Sequence, residues 1–292
     1  MKARELIERY NQGFRDFSNV DLRNEDLSGL SLVAINLANA NLQEVNLSVA
    51  TLNEADLYGA NLQMAVLYRA SLSEVNLCEA DLNGASLIKA DLYQARLERA
   101  NLRDSDLTGA NLNAVSLANA DLSGANLSCV SFVGANLEGA NLSESFLKGA
   151  NFDGANLSSA SLLGANLHGA SFSEANLSHA NLTGANLSHA NLYAANLSDA
   201  LICQVDLSGA NLSNANLNDA NLQDADLNAA FLIDAQLSRV RLEGTNLSKA
   251  NCYKADFKGA FLLRANFNGA NLNGTDFANA SLLSTDYEGY KS

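Results

Sequence analysis

The chain has 292 residues, and 48% of them are hydrophobic, so it can bury a sizeable core. Its formal net charge is −14, from 32 acidic and 18 basic residues. That charge argues against direct binding to nucleic acid or to an anionic membrane surface, and it is compatible with a basic partner or with solubility alone.

The amino terminus predicts a short helix over residues 2–12, in which Leu6, Ile7 and Tyr10 share one face and Gly13 provides the stop. We expect residues 1–15 to form a cap over the first coil of the repeat region that follows. Arg15 and Glu25 fall at inward positions of that coil, where an unpaired charge is costly. They are expected either to pair with each other or to remain solvated at an open end.

From Phe17 to Tyr287, every fifth residue is large and apolar. Of these 55 positions, 45 are Leu and seven are Phe, and the remaining three are Ile202, Cys252 and Tyr287. A small residue, usually Ala, lies two positions earlier, and Asn, Asp, Ser or Thr usually lies between the two. The repeat unit is therefore Ala-Asn/Asp-Leu-x-x, without insertion or deletion.

A period of five fits neither a long helix nor a long strand. A helix would spread the Leu over all its faces, and a strand would alternate them between two faces. A short strand followed by a corner does fit, with Ala and Leu inward and the residue between them outward. Of the 19 Gly, 18 lie two residues after the large apolar position, where a type II turn requires positive φ. The absence of Pro suits a continuous backbone ladder.

Unusual residues recur at a spacing of 20, which predicts four repeats in each coil. Phe132, Phe152 and Phe172 are 20 apart, and so are Phe257 and Phe277. A spacing of 15 gives no comparable set.

The repeat unit resembles that of the pentapeptide repeat family, over residues 16–290. The first repeat, Arg-Asp-Phe-Ser at Arg15 to Ser18, is similar to the opening of cyanobacterial members. The resemblance implies an all-β fold, a right-handed quadrilateral parallel β-helix of about 14 coils, with the short capping helix before it. At the usual strand spacing, such a rod would be roughly 65 Å long. Because Leu and Phe fill its interior, no central substrate cavity is expected.

Little in the sequence points to catalysis or to a metal. His168 and His189 are 21 residues apart and are expected to be neighbours, but metal sites normally require three or four ligands. No nucleophile elbow, phosphate loop or zinc-binding helix occurs. We therefore predict no catalytic, cofactor-binding or metal-binding residue, and no enzyme activity.

The four cysteines form no CxxC motif and suit a reducing compartment. Cys252 is expected in the core, whereas Cys78, Cys129 and Cys203 are expected to face outward without disulfides. The charged amino terminus leads into no apolar segment, so no signal peptide is expected. No apolar run approaches the ~20 residues of a membrane helix. A cytoplasmic location is the expectation.

The charge distribution suggests one interaction surface. Between Asp104 and Asp234 there are 13 acidic residues and a single basic one, Lys148. Columns of like charge are expected where acidic residues are 20 apart, and such columns are mildly unfavourable. The candidate surface for a basic partner comprises Asp199, Asp206, Asp219, Asp224 and Asp226. A surface that merely keeps the chain soluble is the alternative.

The carboxyl-terminal end carries no predicted helix, so its last coil would expose apolar residues. Phe261, Leu263, Leu283 and Tyr287 form a candidate dimer surface. The alternative is a frayed end over which Tyr287 and Tyr290 fold.

Three functions follow as hypotheses. The first is an interaction scaffold that presents its faces to a protein partner whose identity the sequence does not reveal. The second, implied by the family resemblance, is a DNA mimic that binds DNA gyrase or topoisomerase through acidic surface. The lack of a loop insertion and the basic residues of the last third count against it. The third, an enzyme or ligand-binding module, is disfavoured by the filled core.

Overall fold

A computed structural model describes residues 1–281. They fall into two compact units, Met1–Phe146 and Leu147–Ser292, of which the second is described as far as residue 281. Leu283, Tyr287 and Tyr290 lie outside the described residues. Within residues 1–281, no helix is long and apolar enough to cross a membrane.

The first unit begins with helix α1, Ala3–Asn11, as the sequence predicts. Leu6 is fully buried, and the Tyr10 hydroxyl donates a 2.9 Å hydrogen bond to the Val33 carbonyl. The helix ends because Gly13, at φ +96°, takes a backbone conformation that other residues avoid. These contacts place α1 against the first repeats of its own unit.

The predicted Arg15–Glu25 pair is wrong, because α1 supplies both residues with other partners. The Glu25 carboxylate accepts hydrogen bonds from Lys2 Nζ at 2.6 Å and from the Ala3 N–H at 2.9 Å. It thereby satisfies a first-turn N–H that has no partner within the helix. Arg15 donates to the Tyr10 carbonyl at 2.9 Å, with its guanidinium carbon 4.0 Å from the centre of the Tyr10 ring.

After α1, each unit is a parallel β-solenoid made of single-residue bridges rather than extended strands. In the first unit the bridges run from Asp16↔Asn36 to Asn126↔Phe146, and in the second from Asn151↔Ser171 to Phe261↔Ser281. Every bridge between described residues joins positions 20 apart, which confirms the predicted spacing of 20 residues. Within residues 1–281, each strand is a single bridge residue, because only three residues separate one corner from the next.

The interior of each unit holds the Leu and Phe of the repeats together with the Ala before them, and nearly all are fully buried. Phe152 and Phe172 stack with ring centres 4.7 Å apart and planes within 3° of each other. Ser105 and Thr245, which replace Ala, remain buried because their hydroxyls donate to the carbonyls of Leu102 and Leu222. The inward placement of both positions is confirmed.

The corners are type II turns, as predicted. The carbonyl of Leu57, for example, accepts from the N–H of Ala60 at 3.0 Å, and the intervening Gly59 has φ +60°. The same third position has positive φ in every repeat from Asn19 to Asn279, whether or not it is Gly. Since non-glycine residues pay an energetic penalty there, the backbone ladders hold the corner geometry against it.

Candidate functional site

The outer surface of each unit is formed by the polar residue of the bridge and by the two corner residues. Asn and Asp at the bridge do more than face outward. Asn196 Oδ1 accepts from the Ser198 N–H at 3.2 Å, and its Nδ2 donates to Asn176 Oδ1 at 3.1 Å. Asn216 Nδ2 donates in turn to Asn196 Oδ1 at 3.0 Å. These side-chain ladders tie each corner to the next turn, so the bridge residues are structural.

Two of the five candidate carboxylates lie side by side. Asp206 and Asp226 are parallel bridge partners in the second unit, as their spacing predicts. The Asp206 carboxylate accepts from the Ser208 N–H at 2.9 Å. The Asp226 carboxylate accepts from the Asn228 N–H at 2.9 Å and from Asn246 Nδ2 at 2.8 Å. Both carboxylates are half-buried and already bonded within the solenoid.

Asp199 and Asp219 occupy the same corner on successive turns, and both are exposed. The next residue of that column is Arg239, whose guanidinium binds both Asp219 carboxylate oxygens at 2.7 and 2.5 Å. The hydrogen bond from Arg239 lowers the pKa of Asp219. The expected column of like charge therefore ends at a cation. The negative charge of Asp219 is offset by the positive charge of Arg239.

Asp224 is exposed at a different corner of the 20-residue turn. The five carboxylates consequently lie on one side of the solenoid and on two corners, not on one continuous face. Neither Asp199 nor Asp224 forms a side-chain hydrogen bond or an ion pair within residues 1–281, and the Asp224 carboxylate lies over Gly244 of the next turn.

Of the candidate dimer surface, Phe261 and Leu263 lie within the described residues, and both are exposed. Phe261 is the bridge partner of Arg241 and Ser281. Beneath this region, the rings of Phe257 and Phe277 stack at 5.0 Å, and the Phe267 ring meets Phe257 edge-on at 5.9 Å. The aromatic residues of the repeat are thus internal, and Phe261 and Leu263 are left on the outside.

His168 and His189 are neighbours, with ring centres 5.7 Å apart, and His168 Nδ1 lies 2.9 Å from Ser188 Oγ. Over residues 1–281, no group of three or more His, Cys, Asp or Glu is placed to hold a metal ion.

The four cysteines all lie within residues 1–281, and no disulfide joins any two of them there. Cys252 is buried in the core as predicted. Cys78 occupies an outward corner position as predicted, but its side chain is nevertheless buried. Burial, together with the neighbouring Glu98 carboxylate, raises the pKa of the Cys78 thiol to about 11. Its Sγ donates to Glu98 Oε2 at 2.8 Å.

Comparison with known proteins identifies the repeat. The family model described as Pentapeptide repeats matches the chain repeatedly, over residues 31–67, 65–104, 105–143, 135–173, 170–209, 206–244 and 245–282. No curated protein matches the chain.

Several solved structures are similar to it. One is HetL, a pentapeptide repeat protein involved in heterocyst differentiation regulation from the cyanobacterium Nostoc sp. strain PCC 7120. The two are 29% identical over 98% of this chain and 96% of that one, with a TM-score of 0.31. Another is full-length QnrB1, a plasmid-mediated fluoroquinolone resistance protein, at 18% identity, 71% and 93% coverage, and a TM-score of 0.40. A third is Rfr23 from the cyanobacterium Cyanothece 51142, at 32% identity, 38% and 60% coverage, and a TM-score of 0.11.

The family model covers most of the chain. Its copies together span residues 31–282. Since this is well over half of the sequence, the chain belongs to the pentapeptide repeat family.

Proposed function

We propose that this protein is a non-catalytic scaffold that binds another protein through its outer surface. The observation that carries the proposal is the fixed 20-residue register of that surface. Corner and bridge side chains are held in columns by backbone bonds and by Asn and Asp ladders, while Leu, Phe and Ala fill the interior. Such a surface is preorganised, which lowers the entropy lost on binding.

The finer architecture belongs to the same proposal. We infer a right-handed quadrilateral β-helix of about 14 coils, with a cap at residues 1–15 and a repeat domain at residues 16–290. The parallel bridges at a spacing of 20 residues support four sides per coil. Right-handedness follows the general rule for parallel crossovers. The cysteine pattern, which lacks a CxxC motif, suits a cytoplasmic location.

The acidic candidate surface centres on Asp224, which is exposed and projects near the Asp206 and Asp226 side of the solenoid. It would attract a basic partner surface. Asp199 contributes at a separate corner, and Asp219 contributes less because Arg239 neutralises it.

The test is affinity capture from the native cell with wild-type protein and with Asp224→Lys. Asp234→Lys is the matched control, since Asp234 is also an exposed corner residue, but in a different column. Loss of the captured partner with Asp224→Lys alone supports the acidic surface. Equal capture by both variants rejects it, and the absence of any captured protein counts against the scaffold itself.

A homodimer through Phe261 and Leu263, with Leu283 and Tyr287, is part of the proposal. The two described members support it as large apolar side chains exposed near one another in sequence. Sedimentation equilibrium should show a dimer that Phe261→Ser weakens. A monomer at high protein concentration would exclude this contact.

The second candidate function is a DNA mimic that binds gyrase or topoisomerase, and the net charge of −14 and the adjacent Asp206 and Asp226 favour it. Against it, Arg239 neutralises Asp219, and Lys258 Nζ lies 3.5 Å from the Asp256 carboxylate and 3.2 Å from that of Asp276. A supercoiling assay with purified gyrase decides between the two. Unchanged supercoiling at micromolar protein would dismiss the mimic and leave the scaffold in place.

A further inference from the structure

The first unit carries a cluster of apolar side chains on its outer surface, where most repeats carry polar ones. Val49 and Met64 are 59% and 58% exposed, and Val66 and Tyr68 are exposed as well. We call these four residues the Val49–Tyr68 patch. It plays no part in the core or in the acidic surface.

The members of the patch are contiguous in space. Met64, Val66 and Tyr68 alternate along the chain across one bridge and its two flanking corners. The Val49 N–H donates to the Tyr68 carbonyl at 2.8 Å, which places Val49 beside Tyr68 on the preceding turn. Val66 is the bridge partner of Asn46 and of Ser86. The patch therefore spans adjacent turns of one side and its two edges.

Folding alone does not account for these residues. Val49 and Met64 occupy corner positions at φ +59° and +58°, where Gly or Asn fits better. A β-branched residue is especially unsuited to that conformation. The Met64 thioether extends over Gly84 on the next turn, in the space that a side chain there would fill. Both side chains are therefore exposed to solvent at positions where their backbone conformation destabilises the folded state.

Two cations border the patch. Arg69 follows Tyr68 at the same corner, and Lys89 lies 20 residues further along that column. Neither forms an ion pair with a described residue, whereas Arg99 in the same unit binds Glu79 at 2.6 Å. The Arg69 guanidinium carbon lies 5.8 Å from the centre of the Tyr68 ring. In a chain of net charge −14, Arg69 and Lys89 place two cations without ion pairs on successive turns beside these apolar groups, while Glu44 precedes Met64 in the other corner column.

We propose that the Val49–Tyr68 patch, with Arg69 and Lys89, binds an acidic segment of a partner protein that carries at least one large apolar side chain. The apolar side chain would pack against Val49, Met64 and Val66, and the carboxylates would meet the two cations. Nucleic acid is the poorer fit, because only two cations are present and the chain as a whole repels phosphate. The inference depends on the scaffold function and specifies one of its surfaces.

The test is a selection from a phage-displayed library of random twelve-residue peptides against the purified full chain. Enriched peptides are then synthesised, and their binding to wild type and variants is measured by fluorescence anisotropy. One variant combines Val49→Gly with Met64→Gly, substitutions that suit the corner backbone and so preserve folding. A second combines Arg69→Glu with Lys89→Glu.

Matched controls separate the patch from general effects. Ala114→Gly makes the same kind of corner substitution without removing a large side chain, and it lies at φ +54°. Lys249→Glu combined with Lys254→Glu makes the same charge change at corners of the second unit.

We expect enriched peptides to combine Asp or Glu with large apolar residues, and to bind either patch variant about tenfold more weakly than the controls. Peptides that bind the patch variants as well as wild type would overturn the patch but leave the scaffold intact. Failure to enrich any peptide would count against both. Enrichment of basic peptides, or sedimentation showing self-association that the patch variants abolish, would also overturn the proposed partner.

Discussion

Replacing Phe172 with Ala removes a fully buried ring from the interior of the second unit. A buried Phe→Ala substitution typically destabilises by about 3–5 kcal/mol, through lost burial and the cavity left behind. Phe172 also stacks on Phe152 at 4.7 Å, and an aromatic pair contributes about 0.5–1.5 kcal/mol beyond burial. We therefore expect Phe172→Ala to lower the free energy of unfolding by about 4–5 kcal/mol, in the upper part of that range.

Phe172→Leu is the matched control, because Leu fills the same inward position on the next turn, at Leu192. We expect Phe172→Leu to lower the free energy of unfolding by about 1–1.5 kcal/mol, mainly through the lost ring stacking and a small change of side-chain volume. The measurement is guanidinium denaturation followed by circular dichroism. Since solenoid stability is a sum over repeats and their interfaces, unfolding need not be two-state.

Hydrogen exchange supplies the local measurement. The Phe172 N–H donates to the Asn191 carbonyl at 2.6 Å, and the Leu192 N–H donates to the Asn211 carbonyl at 2.7 Å. Both amides should lose protection in Phe172→Ala. If Phe172→Ala unfolds within about 1 kcal/mol of wild type, or if Phe172→Leu is equally damaging, the packing argument is wrong.

Three further predictions concern the surface. Val49→Gly is expected to raise the free energy of unfolding by about 0.5–1 kcal/mol, since it relieves a valine held at φ +59°; a lower melting temperature would contradict this. Hydrogen bonds from the Arg23 side chain and N–H lower the pKa of Asp21 to about 2. The ionised Asp21 carboxylate therefore stabilises the folded state fully above pH 3.8, and this stabilisation is lost as the pH falls through about 2. Arg23→Gln should move the Asp21 midpoint, measured by NMR, upward towards 3.8, and an unmoved midpoint would reject the interaction. Iodoacetamide at about pH 8 should modify exposed Cys129 before Cys78, because burial raises the pKa of Cys78 to about 11; mass spectrometry giving equal rates would refute the assigned burial.

Much of the fold could be predicted because the repeat leaves few geometric solutions. An inward Leu at every fifth residue requires a corner between successive Leu, and that corner requires positive φ. With the 20-residue spacing, the same pattern predicts that Phe152 stacks on Phe172. The pattern could not predict what non-repeating residues do. The pattern predicts Glu25 to be either paired with Arg15 or solvated, whereas it binds Lys2 and the Ala3 N–H at the start of α1, because the repeat does not encode how that helix docks.

The candidate sites are predicted less well, because residues of opposite charge can lie in the same column as the expected like charges. The spacing of 20 pairs Asp219 with Arg239, so that neutralisation was readable from sequence. It also pairs Cys78 with Glu98, and the thiol is buried although its position faces outward. The burial of such a residue depends on how neighbouring side chains lie over it, which position within the repeat does not determine.

The 20-residue register of the bridges restricts how such a chain can change its length. Within one unit, deleting a single pentapeptide leaves the core pattern whole but rotates every later side chain to the adjoining column. Asn ladders, ion pairs such as Arg239 with Asp219, and ring stacks would all acquire new neighbours at once. Deleting four repeats removes a complete turn and restores every column below the cut. Gene rearrangements that add or remove multiples of 60 base pairs are therefore those that a functioning surface can survive.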